Sequence, residues 1–230
     1  MRQLIAIAGV VAFVAVAVMA SIAPAGPLAR VDGPRPTAAV FLWPAALPTE
    51  PPMRAHPQLL SGFGLPIAAA VLPGEEAYLP NSPRDYRAGY HEGIDFPVDA
   101  GTPVLAAKAG TIVRIDSAFT DWSAADEQAA FDTAHTLGYT PDATLDRIRG
   151  RQVWIDHGFG IVTRYAHLSA VGPLRVGDLV TRGEAVGAVG SSGYPEGGPH
   201  LHFEIRVGDD FYGDGLALPE LRYALRAAFR

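Results

Sequence analysis

The chain has 230 residues, a net charge of −6 and no cysteine, which leaves room for one sizeable domain with extensions. The acidic balance argues against a nucleic-acid binder, because phosphate neutralisation needs a basic surface. Without a thiol there is no disulfide framework, thiolate metal site, thiol nucleophile or lipoprotein-type amino terminus, so any metal must rest on His, Asp or Glu.

The first residues carry one positive charge and then an apolar run over 4–20. As a helix that run measures about 25 Å, slightly short of a hydrocarbon core. Val18-Met19-Ala20 fits the small-x-small rule, so 1–23 is expected to be a signal peptide cut before Ser21, or an anchor attached to the membrane through 4–20. Either way the rest of the chain is expected outside the cytoplasm. Nine prolines between Pro24 and Pro57 mark 24–60 as a semi-extended linker, with His56 solvated inside it.

The main domain is expected over 61–215. It opens near Phe63, where "GFGLPIAAAVLP" reads as an edge strand. From Gly101 onward, short β-branched runs alternate with glycine turns, which indicates a mainly β fold, an antiparallel sheet or sandwich. "DHGFG" reads as the turn of a hairpin between strands at 153–156 and 161–167, with His157 a structural turn residue. Residues 117–150 break the pattern as a helical insertion. Ser123 is placed to cap one helix to about Leu137, and Thr140-Pro141 to open a second. His135 is then an exposed helix residue. At the end, 216–230 is a short amphipathic helix with Leu221, Leu225 and Phe229 on one stripe, expected to pack on the domain.

Two strings carry chemistry. In "HEGIDF", His91 and Asp95 stand four apart, but Gly93 and the following proline argue for strand or loop, not helix. In an extended chain Glu92 points away from His91, so it is not cast as a general base. In "GGPHLHFEIR", strand alternation puts Leu201, Phe203 and Ile205 in the core and His200, His202 and Glu204 on the other face. His91, Asp95 and His202 together offer two imidazoles and a carboxylate and leave a position open, the pattern of a catalytic zinc. His200, beside a ligand on that face, suits proton transfer or oxyanion stabilisation. In "TRYAHLS", alternation pairs Tyr165 with His167 on one face; read alone, His167 is a half-buried structural histidine. Glu204 is either a carboxylate behind a ligand imidazole or a plain surface salt-bridge partner. The glycine-rich "SSGYPEGG" fits a groove wall.

The strings "HEGIDF", "GTPVLAAKAGTIV", "TRYAHLS", "GDLVTRGEAVGAVGSSG" and "GGPHLHFEIR", in this order over roughly half the chain, resemble the lysostaphin-type (LytM-like) zinc endopeptidases of bacterial cell walls. The resemblance implies a duplicated hybrid-motif-like β fold and cleavage of peptidoglycan cross-links or stems by a zinc-activated water. It implies Zn²⁺ held by His91, Asp95 and His202, with His167 and His200 assisting catalysis. The 117–150 insertion departs from many relatives and bears on substrate preference. The family also holds inactive members that bind murein or activate other hydrolases, which is the alternative function. A lipoyl- or biotinyl-carrier reading, with Lys108 modified, is weaker: Lys108 falls between alanines on a presumed strand, and an export signal does not suit a cytoplasmic carrier. Nothing in the sequence sets the oligomeric state or the bond cleaved.

Overall fold

The computed structural model describes residues 60–230. The expected export segment, the proline-rich linker and His56 lie outside the described residues. No described helix is long and apolar enough to cross a membrane. The elements in chain order are β1 (Pro83–Arg84), β2 (Gly89–Tyr90), β3 (Ile94–Phe96), β4 (Pro103–Leu105), β5 (Gly110–Asp116), α1 (Ala124–Leu137), α2 (Asp142–Arg149), β6 (Gln152–Asp156) and β7 (Ile161–Ala166). They continue with β8 (Leu168–Val171), β9 (Leu179–Val180), β10 (Ala185–Val189), β11 (Leu201–Val207), β12 (Asp210–Phe211) and α3 (Leu218–Ala228).

The expected antiparallel β architecture is what folds. A seven-stranded sheet runs β12-β11-β7-β6-β5-β9, with β3 also pairing β11, and β4-β10-β8 form a smaller sheet. β11 is the organising strand because β7 flanks one edge while β3 and β12 share the other. Its Leu201, Phe203 and Ile205 are buried in the core with Val104, Ile112, Ile155, Tyr165 and Val186. Removing a side chain such as Phe203, fully buried, costs about 3–5 kcal/mol in cores of this kind. The Tyr165 hydroxyl is satisfied inside this core, accepting from the Ala107 N–H at 2.8 Å and from the Thr163 hydroxyl at 3.0 Å.

The helical insertion lies between β5 and β6, as the sequence indicates. Ser123 caps α1, its hydroxyl accepting from the Asp126 N–H, and Gly138 closes the helix with φ 77°. His135 is exposed on it. α2 starts differently from the expectation: Pro141 occupies its N-cap, because the Thr140 hydroxyl is committed to Arg87, donating to its carbonyl and accepting from its guanidinium. α3 buries Leu221, Ala224, Leu225 and Ala228, and Phe229 meets the rings of Phe63 and Phe203.

Three local expectations are corrected. Residues 63–74 form no strand. Their backbone is tied at separate points, Phe63 N–H to the Ala228 carbonyl and Gly64 N–H to the Ala107 carbonyl, and Pro66 removes a ladder donor. Lys108 sits in the bend between β4 and β5, its ammonium 4.9 Å over the Phe63 ring. Tyr165 and His167 do not share a face, because His167 has φ 59° and interrupts the alternation between β7 and β8.

Candidate metal centre

Register, not helical spacing, builds the centre. β3 pairs β11 with Asp95 opposite His202, which sets that carboxylate beside that imidazole. Gly93 permits the approach: a Cβ there would lie 2.5 Å from the Phe203 carbonyl and 2.9 Å from the His202 ring. The chain before β3 then returns His91 to the same point. His91 Nε2 is 2.9 Å from Asp95 Oδ1, His202 Nδ1 is 2.9 Å from the same oxygen, and the two nitrogens are 3.0 Å apart. All three side chains are at least mostly buried.

The outer partners decide which atoms face inward. His91 Nδ1 lies 3.0 Å from the Leu79 carbonyl, which can only accept, so this nitrogen carries the proton and Nε2 keeps its lone pair. His202 Nε2 lies 3.2 Å from Glu204 Oε1. Burial would raise Glu204, but Arg149 and His202 hold its carboxyl well below the ordinary range. It therefore accepts, and His202 Nδ1 faces Asp95 and His91. Two nitrogen lone pairs and a carboxylate oxygen thus meet at one point, an arrangement that calls for a cation.

The titration directions agree that this point calls for a cation, which in the metal-free protein is a proton on His202 Nδ1. Burial lowers His91. In His202 burial acts the same way, but Asp95 and Glu204 outweigh it and push the imidazole up to about 9. Asp95 is held well below the ordinary range, where burial is overcome by His91 and His202. Its second oxygen is taken by Arg84 at 3.2 Å. Zinc fits this donor set, since neutral imidazole and carboxylate suit it and no thiolate is needed. A second group, Glu92, His202 and Glu204, also brings ligand atoms together. There the cations are already supplied, by Arg87 and Arg149 on Glu92 and by Arg149 on Glu204.

His167 and His200 stand beside the three, their rings 4.5 Å apart. His167 Nδ1 donates to the Ser192 carbonyl at 2.9 Å and His200 Nδ1 to the Gly198 carbonyl at 2.9 Å, so each has Nε2 left for the cleft. Burial, then His200 and His202, hold His167 well below its usual value, so it is neutral at pH 7. His200 Nε2 is 3.9 Å from Asp95 Oδ1. All five residues line one cleft of about 410 Å³, walled by Tyr86 and Tyr194, which stack at 5.2 Å, and by Leu145 and Ile148 of α2.

Of the two readings of Glu204, the structure shows the carboxylate behind the His202 imidazole. Glu204 is fully buried and not a surface salt-bridge partner, enclosed by the guanidinium groups of Arg149, Arg164 and Arg206. Glu92 lines the cleft, paired to Arg87 at 3.3 Å. Arg149 is a contributor that the sequence did not single out; no local motif marks it. His157 is a turn residue as expected, bonded to the Ala109 carbonyl and the Thr163 hydroxyl.

Comparison with known proteins adds the following. The model described as "Peptidase family M23" matches residues 89–213. The chain is 35% identical over 142 residues to the DD-carboxypeptidase/endopeptidase Mpg of Neisseria meningitidis, covering 60% of this chain and 26% of that protein. It is 31% identical over 121 residues to the peptidoglycan DD-endopeptidase ShyA of Vibrio cholerae, covering 53% and 21%. The chain thus spans about a quarter of the length of these curated relatives. The catalytic domain of lysostaphin from Staphylococcus simulans superposes with a TM-score of 0.40 at 28% identity, covering 59% of this chain and 80% of that one.

Proposed function

The chain belongs to peptidase family M23, and on that premise we propose that it is a zinc-dependent endopeptidase hydrolysing peptide bonds in peptidoglycan cross-links or stems. The observation that carries the reading is the meeting of His91 Nε2, Asp95 Oδ1 and His202 Nδ1 within 3.0 Å of one another. In this reading they are the ligands, and His167 and His200 are catalytic. Zinc at that point supplies Lewis acidity, polarising the scissile carbonyl and making water a competent nucleophile at neutral pH.

The chain's own residues do the rest. Neutral His167, its Nδ1–H fixed on Ser192, has an unprotonated Nε2 that takes the proton lost by the attacking water and returns it to the departing amine. His200 Nε2, on the Asp95 side, donates in its imidazolium form to the oxygen that becomes negative as the carbonyl carbon turns tetrahedral, while its Nδ1–H stays on the Gly198 carbonyl. Arg84 holds the outer oxygen of Asp95 and keeps the inner one in place. Tyr86, Tyr194 and Leu145 supply apolar walls for an extended peptide, and α2 closes one side.

A murein substrate lies outside the cytoplasm, which accords with the expected export segment at 4–20, and the proposed catalytic domain is 61–215. The test is H202A. It is expected to lose both stoichiometric zinc and cleavage of purified muropeptides, read by metal analysis and mass spectrometry. Cleavage at the wild-type rate by H202A refutes the ligand assignment; zinc retained by the wild type with no cleavage favours the non-catalytic, murein-binding alternative.

A further inference from the structure

Arg149 is the last residue of α2, and it reaches the supports of both His202 on β11 and His167 just after β7. Its Nε donates to Glu204 Oε1 at 2.6 Å, the same oxygen that accepts from His202 Nε2 at 3.2 Å. Arg164 and Arg206 approach only the other oxygen, at 3.4 and 3.5 Å. The Arg149 carbonyl accepts from the His167 N–H at 2.8 Å. Gly150 follows at φ 64°, where a Cβ would lie 2.2 Å from the Ser192 carbonyl, the group that holds the His167 ring.

Arg149 and Glu204 are 7% and 0% exposed. A buried ion pair is a weak source of stability, since well-packed apolar residues of similar volume do as well or better. The pair has a use at this position, however. A carboxylate buried against a ligand imidazole must stay aimed at that ring for the opposite nitrogen to face a metal. We infer that Arg149 is a positioning residue for the metal centre: it holds Glu204 on His202 and the His167 backbone in place, so the helical insertion is part of the metal site and not only a wall of the cleft. The inference rests on the zinc reading of His91, Asp95 and His202.

The test uses the full chain as wild type, R149M, R149K and R114M. Arg114 clamps α2 through Asp146 at 2.8 and 2.6 Å but does not bond Glu204, so R114M loosens the helix without disturbing the carboxylate. Zinc affinity is read by chelator competition, coordination by the visible spectrum of the cobalt-loaded protein, and folding by circular dichroism. R149M is expected to stay folded, to bind zinc about 10–100-fold more weakly and to shift the cobalt spectrum. R149K is expected to fall between it and the wild type, and R114M to stay within about threefold of the wild type. Wild-type affinity and spectrum in folded R149M overturn the inference, as does an equal loss in R114M. If R149M does not fold, R149K decides alone: at least a threefold weakening supports the inference, and wild-type affinity overturns it. A wild type that binds no zinc contradicts the metal reading itself, an outcome distinct from the wild type and R149M binding equally well.

Discussion

His167 shows how one backbone angle escapes sequence reading. Its φ of 59° costs a non-glycine residue about 1–3 kcal/mol, a strain found where surrounding structure over-determines the position. Here Arg149 fixes its N–H and Ser192 its ring. Alternation predicts a half-buried strand residue, whereas the left-handed turn delivers the imidazole to the cleft. The division of roles then predicts that H200A keeps zinc within a few-fold but loses about 10²–10⁴ in kcat, measured on muropeptides at saturating zinc; loss of zinc in H200A would make it a ligand instead. His157, remote from the centre, tests pH behaviour. Burial lowers its pKa from 6.5, with Lys108 adding to the effect and the Ala109 bond opposing it. The unfolded chain therefore binds more protons near pH 6, and this contribution, full above 6.5, is lost as pH falls through the folded value. H157Q is expected to flatten the fall in urea midpoint between pH 7.5 and 5.5 in metal-stripped protein. An unchanged slope contradicts it.

At the scale of elements, legibility followed locality. α1 was readable because its signals are its own: Ser123 at the N-cap and Gly138 at the end. Its predicted sensitivity is equally local. S123A should cost about 1 kcal/mol of stability while leaving zinc affinity unchanged, as denaturant unfolding and chelator competition will report; a large loss of affinity would tie the helix start to the metal site. The segment at 63–74 departs from the expected strand because its conformation is dictated by Ala107 and Ala228, far along the chain. Pattern alone leaves Glu204 open between a carboxylate behind a ligand imidazole and a surface salt-bridge partner for a related reason. Alternation on β11 identifies which residues face away from the core, but not that Arg149 reaches across to Glu204. The position of Arg149 depends on packing, and no pattern in 117–150 announces it.

At the scale of the whole molecule, the proposed ligand set can be drawn from the sequence because chemistry restricts it. With no cysteine, a zinc site must draw on His and carboxylate, and β3 pairing with β11 brings Asp95 opposite His202 across more than a hundred residues of chain. The expected sheet architecture, the hairpin over β6 and β7, and α3 follow from periodicity and turns that survive folding. What His91, Asp95 and His202 are proposed to do together is tested most directly by one measurement: mass-spectrometric digestion of purified cross-linked muropeptides by the full chain, stripped with chelator and then returned to one equivalent of zinc. The account predicts that cleavage disappears on stripping and returns with the metal. Undiminished cleavage by the stripped protein would contradict it.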